Sequence, residues 1–165
     1  IAGGRRRIGY ISGPLERLEA RQRHEAWLDT MRTAHLEPGP MAEGNWSSAS
    51  GEAGCAALLA ADPGLDAIVA ANDQMALGVM HAFHERGLHV PGDVSIVGFD
   101  DSEEAAAFWP ALTTVHQHFD IVGQSATNSL IAMIDGEPAP KNTLVATRLV
   151  VRDSTGPGPV PAPAP

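Results

Sequence analysis

The sequence has a single cysteine, Cys55, set in an Ala-rich run, so it contains neither an intrachain disulfide nor a cysteine-based metal site, and a cytoplasmic setting fits. Positive charge is also scarce. Eleven basic against twenty acidic residues leave a formal charge of −9, which opposes attraction to phosphate backbones and anionic membranes. This segment is therefore not expected to touch DNA itself. No apolar run approaches the roughly 20 residues that span a bilayer. Ile1 onward is not a signal peptide either, because Arg5, Arg6 and Arg7 precede only a short apolar stretch. The first residue is not Met, and the chain reads as an excerpt of a longer one. Internal repeats, heptads, a Walker-type glycine loop and a GxSxG elbow are all missing.

What remains is the composition of a soluble globular domain: 165 residues, 44% hydrophobic and 19% charged. The stretch RIGYISGP (7 to 14) reads as a buried strand stopped by Gly13 and Pro14. The next twenty residues carry His24, Trp27, Leu28, Met31 and His35 on one helical face. After Pro38, Gly39 and Pro40, the loop GNWSSASG (44 to 51) offers serines to cap an Ala/Leu-rich helix at about 52 to 61. DAIVAA (66 to 71) is a strand, and Ala76, Val79, Met80 and Phe83 mark a helix closed by Gly87. VSIVGF (94 to 99) is a third strand, followed by an acidic segment up to Trp109 and the extended LTTVHQ (112 to 117). A helix over 119 to 136 and extended residues 143 to 151 follow, and from Asp153 the Pro/Gly-rich end reads as a disordered tail.

Strands alternating with helices imply βαβ units and a parallel sheet with helices on both faces. Ligands of such sheets sit outside the carboxyl ends of the strands. The chain places polar residues there three times: after Gly13 with its downstream arginines, at Asn72 with Asp73, and at Asp100 with Asp101. Asn72 donates and accepts, Asp100 accepts from hydroxyls, and Arg23 donates in a fork, a set suited to a polyhydroxylated ligand. Trp46 adds a flat apolar face for the C–H side of a pyranose. The same Asn72 and Asp73 are also preferred N-caps, and the pattern fits capping by Asp73 with Asn72 turned to the ligand.

Adjacent carboxylates in GFDDSEE (98 to 104) resemble a hard-cation site, but a solvated acidic turn with one ligand-facing Asp explains them without a phosphate loop. His81 and His84 lack a third ligand of suitable spacing and read as surface residues. His116 and His118, in an extended segment, point to the side opposite Gln117. No metal, cofactor or catalytic residue is assigned. The reading is of a binding protein and not an enzyme.

The motifs ANDQMALG (71 to 78), GLHVPGDVSIVGFDDSE (87 to 103), LTTVHQHFDIVGQ (112 to 124) and LVVR (149 to 152) resemble the effector-binding core of LacI/GalR-type transcriptional repressors. With SGPLERLEARQRHEAW (12 to 27) and EGNWS (43 to 47), the likeness is to the lactose-repressor branch of that family and covers nearly all of residues 7 to 152. The resemblance implies a periplasmic-binding-protein-like α/β fold, one nearly complete lobe plus part of a second, with a sugar or other small effector between the lobes. By that likeness residues 1–118 form the C-terminal lobe, and 119–146 supply a crossover helix and a short strand near Leu144 to the N-terminal lobe. Residues 147–152 then return as a last strand, 153–165 are the disordered tail, and the DNA-binding domain lies outside this excerpt.

The same resemblance places Arg23, Trp46, Asn72, Asp100, Gln117 and Phe119 at the effector, and Leu77, Met80, Glu104 and Phe108 at a homodimer surface. Glu16, Arg17 and Glu19 depart from the small residues of the lactose-repressor branch, and a charge buried there would change the ligand. The tail GPGPVPAPAP cannot form a tetramerisation helix, so no tetramer is expected through it. The expected function is the ligand-sensing core of a cytoplasmic regulator, allosterically controlling an absent helix-turn-helix on operator DNA. Two further readings share the architecture. One is a free-standing sugar-binding protein of a transport system, and the other is a doubly wound enzyme using Asp100 and Asp101.

Overall fold

The structure is a computed structural model describing residues 3–138 and 143–156. Strand β1 (Ile8–Ser12) is buried along its whole length and runs through the middle of a parallel sheet. It lies between β2 (Met41–Glu43) and β3 (Ala67–Ala70), and β4 (Ser95–Val97) pairs with β3 on the far side, giving the order β2-β1-β3-β4. A parallel pair needs a crossover, and three helices supply it: α1 (Leu18–Thr33), α2 (Ser48–Ala61) and α3 (Asp73–Glu85).

The two faces of β1 are covered differently. Ile11 meets Gly54 of α2, and Gly9 faces Leu58 and Leu65. On the opposite face Tyr10 stacks on Trp27 of α1 at 5.1 Å between ring centroids. Expected strands and helices are therefore present, on both faces of one sheet. Helix α2 begins earlier than its apolar run because Ser47 caps it, accepting from the Ser50 amide. Helix α1 ends at Thr33, so His35, in the left-handed region at φ 54°, is not on its face.

Beyond β4 the chain turns back on itself. The Gly98 amide donates to Thr113 O and the Asp100 amide to Val115 O, each at 2.9 Å, so residues 113–116 extend the sheet edge. Strand β5 (Thr114–His116) then pairs antiparallel with β6 (Arg148–Val150), and α4 (Phe119–Ile134) lies in the chain between them. Helix α4 has no buried residue, and its apolar residues Leu130, Ile131, Met133 and Ile134 are exposed. Among the described residues nothing covers that face.

Two expectations need correction. Leu144 is 96% exposed and sits in no strand, because among the described residues no neighbouring strand pairs with it. Order also continues past Arg152. Asp153–Thr155 form a 3-10 turn in which the fully buried Ser154 hydroxyl donates to Ile96 O at 2.6 Å and accepts from the Thr113 amide at 2.8 Å. Local hydrogen-bonding capacity outweighed the Pro/Gly composition here, and residues 157–165 lie outside the described residues.

Ser154→Ala strands a buried carbonyl and a buried amide together. It should lower unfolding free energy by about 1–3 kcal/mol in urea titration at unchanged m-value.

Candidate functional site

The carboxyl ends of β1, β3 and β4 open at one edge of the sheet, and the loops leaving them carry the polar residues singled out from the sequence. After β1, Gly13 makes a close approach possible: a Cβ on it would stand 2.2 Å from the Trp46 ring. Trp46 itself holds φ 72°, and its carbonyl accepts from Asn72 Nδ2 at 3.0 Å. The Oδ1 of Asn72 accepts from the Met75 amide at 2.9 Å. Asn72 is thus the N-cap of α3 and the anchor of the Trp46 loop at once.

This reverses the expected division between Asn72 and Asp73. Asn72 does the capping, whereas Asp73 is 1% exposed and turned inward. An N-cap side chain must bend back over its own helix, which the extended backbone of Asn72 (φ −150°, ψ 169°) permits. Asp73 is already inside the first turn, and its carboxylate reaches the turn after β4.

Arg23 rises from α1 under the same edge. Its guanidinium donates to Ala71 O at 2.5 Å, lies 3.9 Å from the centroid of Phe99, and stands 5.8 Å from the Trp46 ring. Its distance to Asp100 is 3.6 Å, an ion pair too long for a direct hydrogen bond. Asp100 Oδ1 accepts instead from Gln117 Nε2 at 2.7 Å. Arg23, Trp46, Asn72, Asp100 and Gln117 therefore come together from segments that are far apart in sequence. Phe119 does not join them closely: it is 59% exposed at the start of α4, its amide donating to Gln117 O at 2.9 Å. Phe99, which supports Arg23, had only one signal in the sequence, an aromatic at the end of the third strand. Arg23 and Phe99 also line one end of an apolar groove of about 500 Å³ between α1 and the sheet.

The remaining sequence-selected residues lie elsewhere. Glu16, Arg17 and Glu19 are exposed, so no charge is buried in that loop, and the Leu15 amide beside them donates to Glu43 Oε1 at 3.1 Å. Leu77 and Met80 are 7% and 6% exposed and pack in the core of this chain. Helix α3 packs beside α2 and against β3 and β4, so its apolar side faces inward. Glu104 and Phe108 are exposed, and Trp109 beside them more so. No helix among the described residues is long and apolar enough to cross a membrane.

The adjacent aspartates have opposite electrostatics. Burial pushes the Asp100 carboxyl up, against the pull of Arg23 and the Gln117 hydrogen bond, with the Asp73 charge adding to the rise. Burial also acts to raise Asp101, but hydrogen bonds from Arg152 Nη2 at 2.6 Å and from His116 Nδ1 at 2.8 Å outweigh it and hold that carboxyl below 3.8. Asp100 has a second oxygen with no hydrogen bond among the described residues, while both oxygens of Asp101 are engaged. One is available to a ligand and the other ties β5 and the chain beyond β6 to the lobe.

A periplasmic binding protein-like domain model matches residues 1–155. The chain belongs to that family. It is 36% identical over 155 residues to the lactose operon repressor of Escherichia coli K12, covering 94% of this chain and 43% of that protein. The crystal structure of the lac repressor dimer bound to operator and the anti-inducer ONPF superposes with a TM-score of 0.90 at 36% identity, over 94% of this chain and 47% of that one. The complex of the transcriptional regulator CelR with cellobiose gives 0.88 at 32% identity, over 92% and 47%. This member of the family thus spans a little under half the length of the proteins it resembles.

The two aspartates should separate in pH-dependent unfolding. A raised carboxyl favours the fold in acid, and that contribution is lost as pH rises through its folded value. A lowered one stabilises at neutral pH and is lost as pH falls through its folded value. Asp100→Asn should keep or raise the thermal midpoint at pH 7. Asp101→Asn should lower stability by about 2–4 kcal/mol at pH 7 and show a smaller penalty as pH falls below the ordinary aspartate range.

Proposed function

We propose that this chain is the ligand-sensing core of a LacI-type transcriptional regulator, cytoplasmic and non-enzymatic, which binds a carbohydrate between two lobes. The observation that carries the reading is the cluster of Arg23, Asp100 and Gln117 beside the Trp46 ring and Asn72. One cation and one anion nearly cancel, leaving spare donors and acceptors in a partly apolar setting. That balance suits a neutral ligand rich in hydroxyls better than a charged one. Phe119, at the start of α4, borders the same ligand when the lobes close.

Residues 1–118 form one lobe in this reading, and α4 with residues up to 146 belongs to the second. The exposed apolar face of α4 then packs on the rest of that lobe, supplied by sequence outside this chain. Residues 147–152 return to the first lobe. Ligand that favours one lobe arrangement shifts the population of dimers competent for operator DNA, which is bound by a helix-turn-helix outside this chain. The homodimer forms over the segment holding Glu104 and Phe108, with Leu77 and Met80 supporting that surface from beneath, and no tetramer forms through the tail.

The test titrates lactose, cellobiose and a set of non-sugar metabolites against the full-length protein, following Trp46 fluorescence and operator release together. A sugar should change both signals, and Asp100→Asn should weaken its binding by about 10–100-fold, the value of a lost charged hydrogen bond. Wild-type affinity should fall in acid with a midpoint above the ordinary aspartate value of 3.8. Response to a non-sugar alone defeats the carbohydrate assignment and leaves the regulator reading standing. Sedimentation should give a dimer that Phe108→Glu dissociates.

A further inference from the structure

We propose that Asp73, which touches no ligand, is the positioning residue that fixes the Asp100–Gln117 pair and links it to strand β5. The proposal rests on the reading of Asp100 as a ligand contact, and its argument is geometric. The buried Asp73 carboxylate joins three segments. Its Oδ2 accepts from the Ser102 amide at 2.8 Å, at the end of the turn that presents Asp100 and Asp101. Its Oδ1 accepts from Thr114 Oγ1 at 2.5 Å, on the strand that leads to Gln117. Its own amide donates to Phe99 O at 2.9 Å, immediately before Asp100.

The environment is fitted to this carboxylate. A Cβ at residue 98 would stand 2.2 Å from Asp73 Oδ1, so the glycine there leaves the space the side chain occupies. Asp100 and Asp101 hold φ values of 122° and 58°, a region that L-residues enter only when their surroundings fix them. The hydrogen bonds on either side of that pair run through Asp73: directly to Ser102, and through Thr114, whose Oγ1 accepts from the Asp101 amide at 3.3 Å. Gln117 directly follows β5, three residues after Thr114, so one carboxylate sets both members of the Asp100–Gln117 hydrogen bond. Asp73 is also a like charge near Asp100, whose other charged neighbour is Arg23.

The test is made first without ligand, on the full chain labelled for carboxyl and side-chain amide NMR, with circular dichroism to monitor folding. Asp73→Asn removes the like charge, so Asp100 should titrate at lower pH than in wild type, and the Gln117 amide signals should move. Thr114→Val should displace the same Gln117 signals, Thr114→Ser should restore them, and the double variant Asp73→Asn/Thr114→Val should add little to the larger single effect. If Asp73→Asn fails to fold, the two Thr114 variants carry the test. Wild-type positions for Asp100 and Gln117 in Asp73→Asn, or in Thr114→Val, overturn the proposal.

Lactose and cellobiose then serve as binding probes. Asp73→Asn should weaken whichever binds by about tenfold, one unit on the scale where 1.4 kcal/mol is a factor of ten. Equal affinity in wild type and variant also overturns the role. If neither sugar binds wild type, the carbohydrate reading fails, and the ligand-free titration alone decides Asp73.

Discussion

A buried carboxylate holds together the end of the sheet where the chemistry is gathered. Asp73 is enclosed by the turn after β4, the strand β5 and the first turn of its own helix, and each of its oxygens has a donor. A buried charge without such donors would be costly, so these segments are constrained to stay where they satisfy it. Gly98, Thr114 and Ser102 are therefore linked requirements. The positions of Asp100 above this anchor and of Gln117 beyond it follow from that packing rather than from their own local preferences.

A second tie works at the same edge of the sheet. Asn72 spends its amide oxygen on the α3 cap and its amide nitrogen on the Trp46 carbonyl, so the loop holding the indole cannot shift without disturbing the start of α3. Nine of the thirteen residues of α3 are buried, Met75, Val79 and Phe83 among them. Close-packed interiors pass displacement on rather than absorb it. On the proposed function, a ligand against Trp46 therefore acts on a rigid element that runs toward the far end of the lobe.

Much of this was legible from local pattern. The apolar runs at 8–12, 67–70 and 95–97, each followed within two residues by a glycine or a polar residue, mark buried parallel strands, and the polar residues that follow them fall at one edge. Five of the six residues singled out for a ligand meet there. Pattern fails where partners are distant. The Asp73–Thr114 bond spans 41 residues, the Thr113–Ser154 bond also 41, and nothing within either neighbourhood names the other partner. That is why local pattern makes Asp73 a cap and Ser154 part of a tail. Leu77 and Met80 show a different limit. An apolar helix side has the same periodicity whether its own lobe or a second subunit covers it.

Asp100 and Asp101 show what local sequence cannot separate. They are chemically identical and adjacent, yet left-handed backbone at both positions points one carboxylate at the cleft and the other at Arg152 and His116. Asp101 has its charge neutralised by two cation-capable groups and serves the join between lobe and crossover strands. Asp100 has one oxygen without a hydrogen bond among the described residues and a carboxyl that burial pushes up, and on the proposed function a ligand hydroxyl would offset the cost of its charge. A group of this kind gains more from a ligand than one already satisfied. On the proposed function, the same turn supplies one carboxylate that stabilises the fold and one that the ligand satisfies.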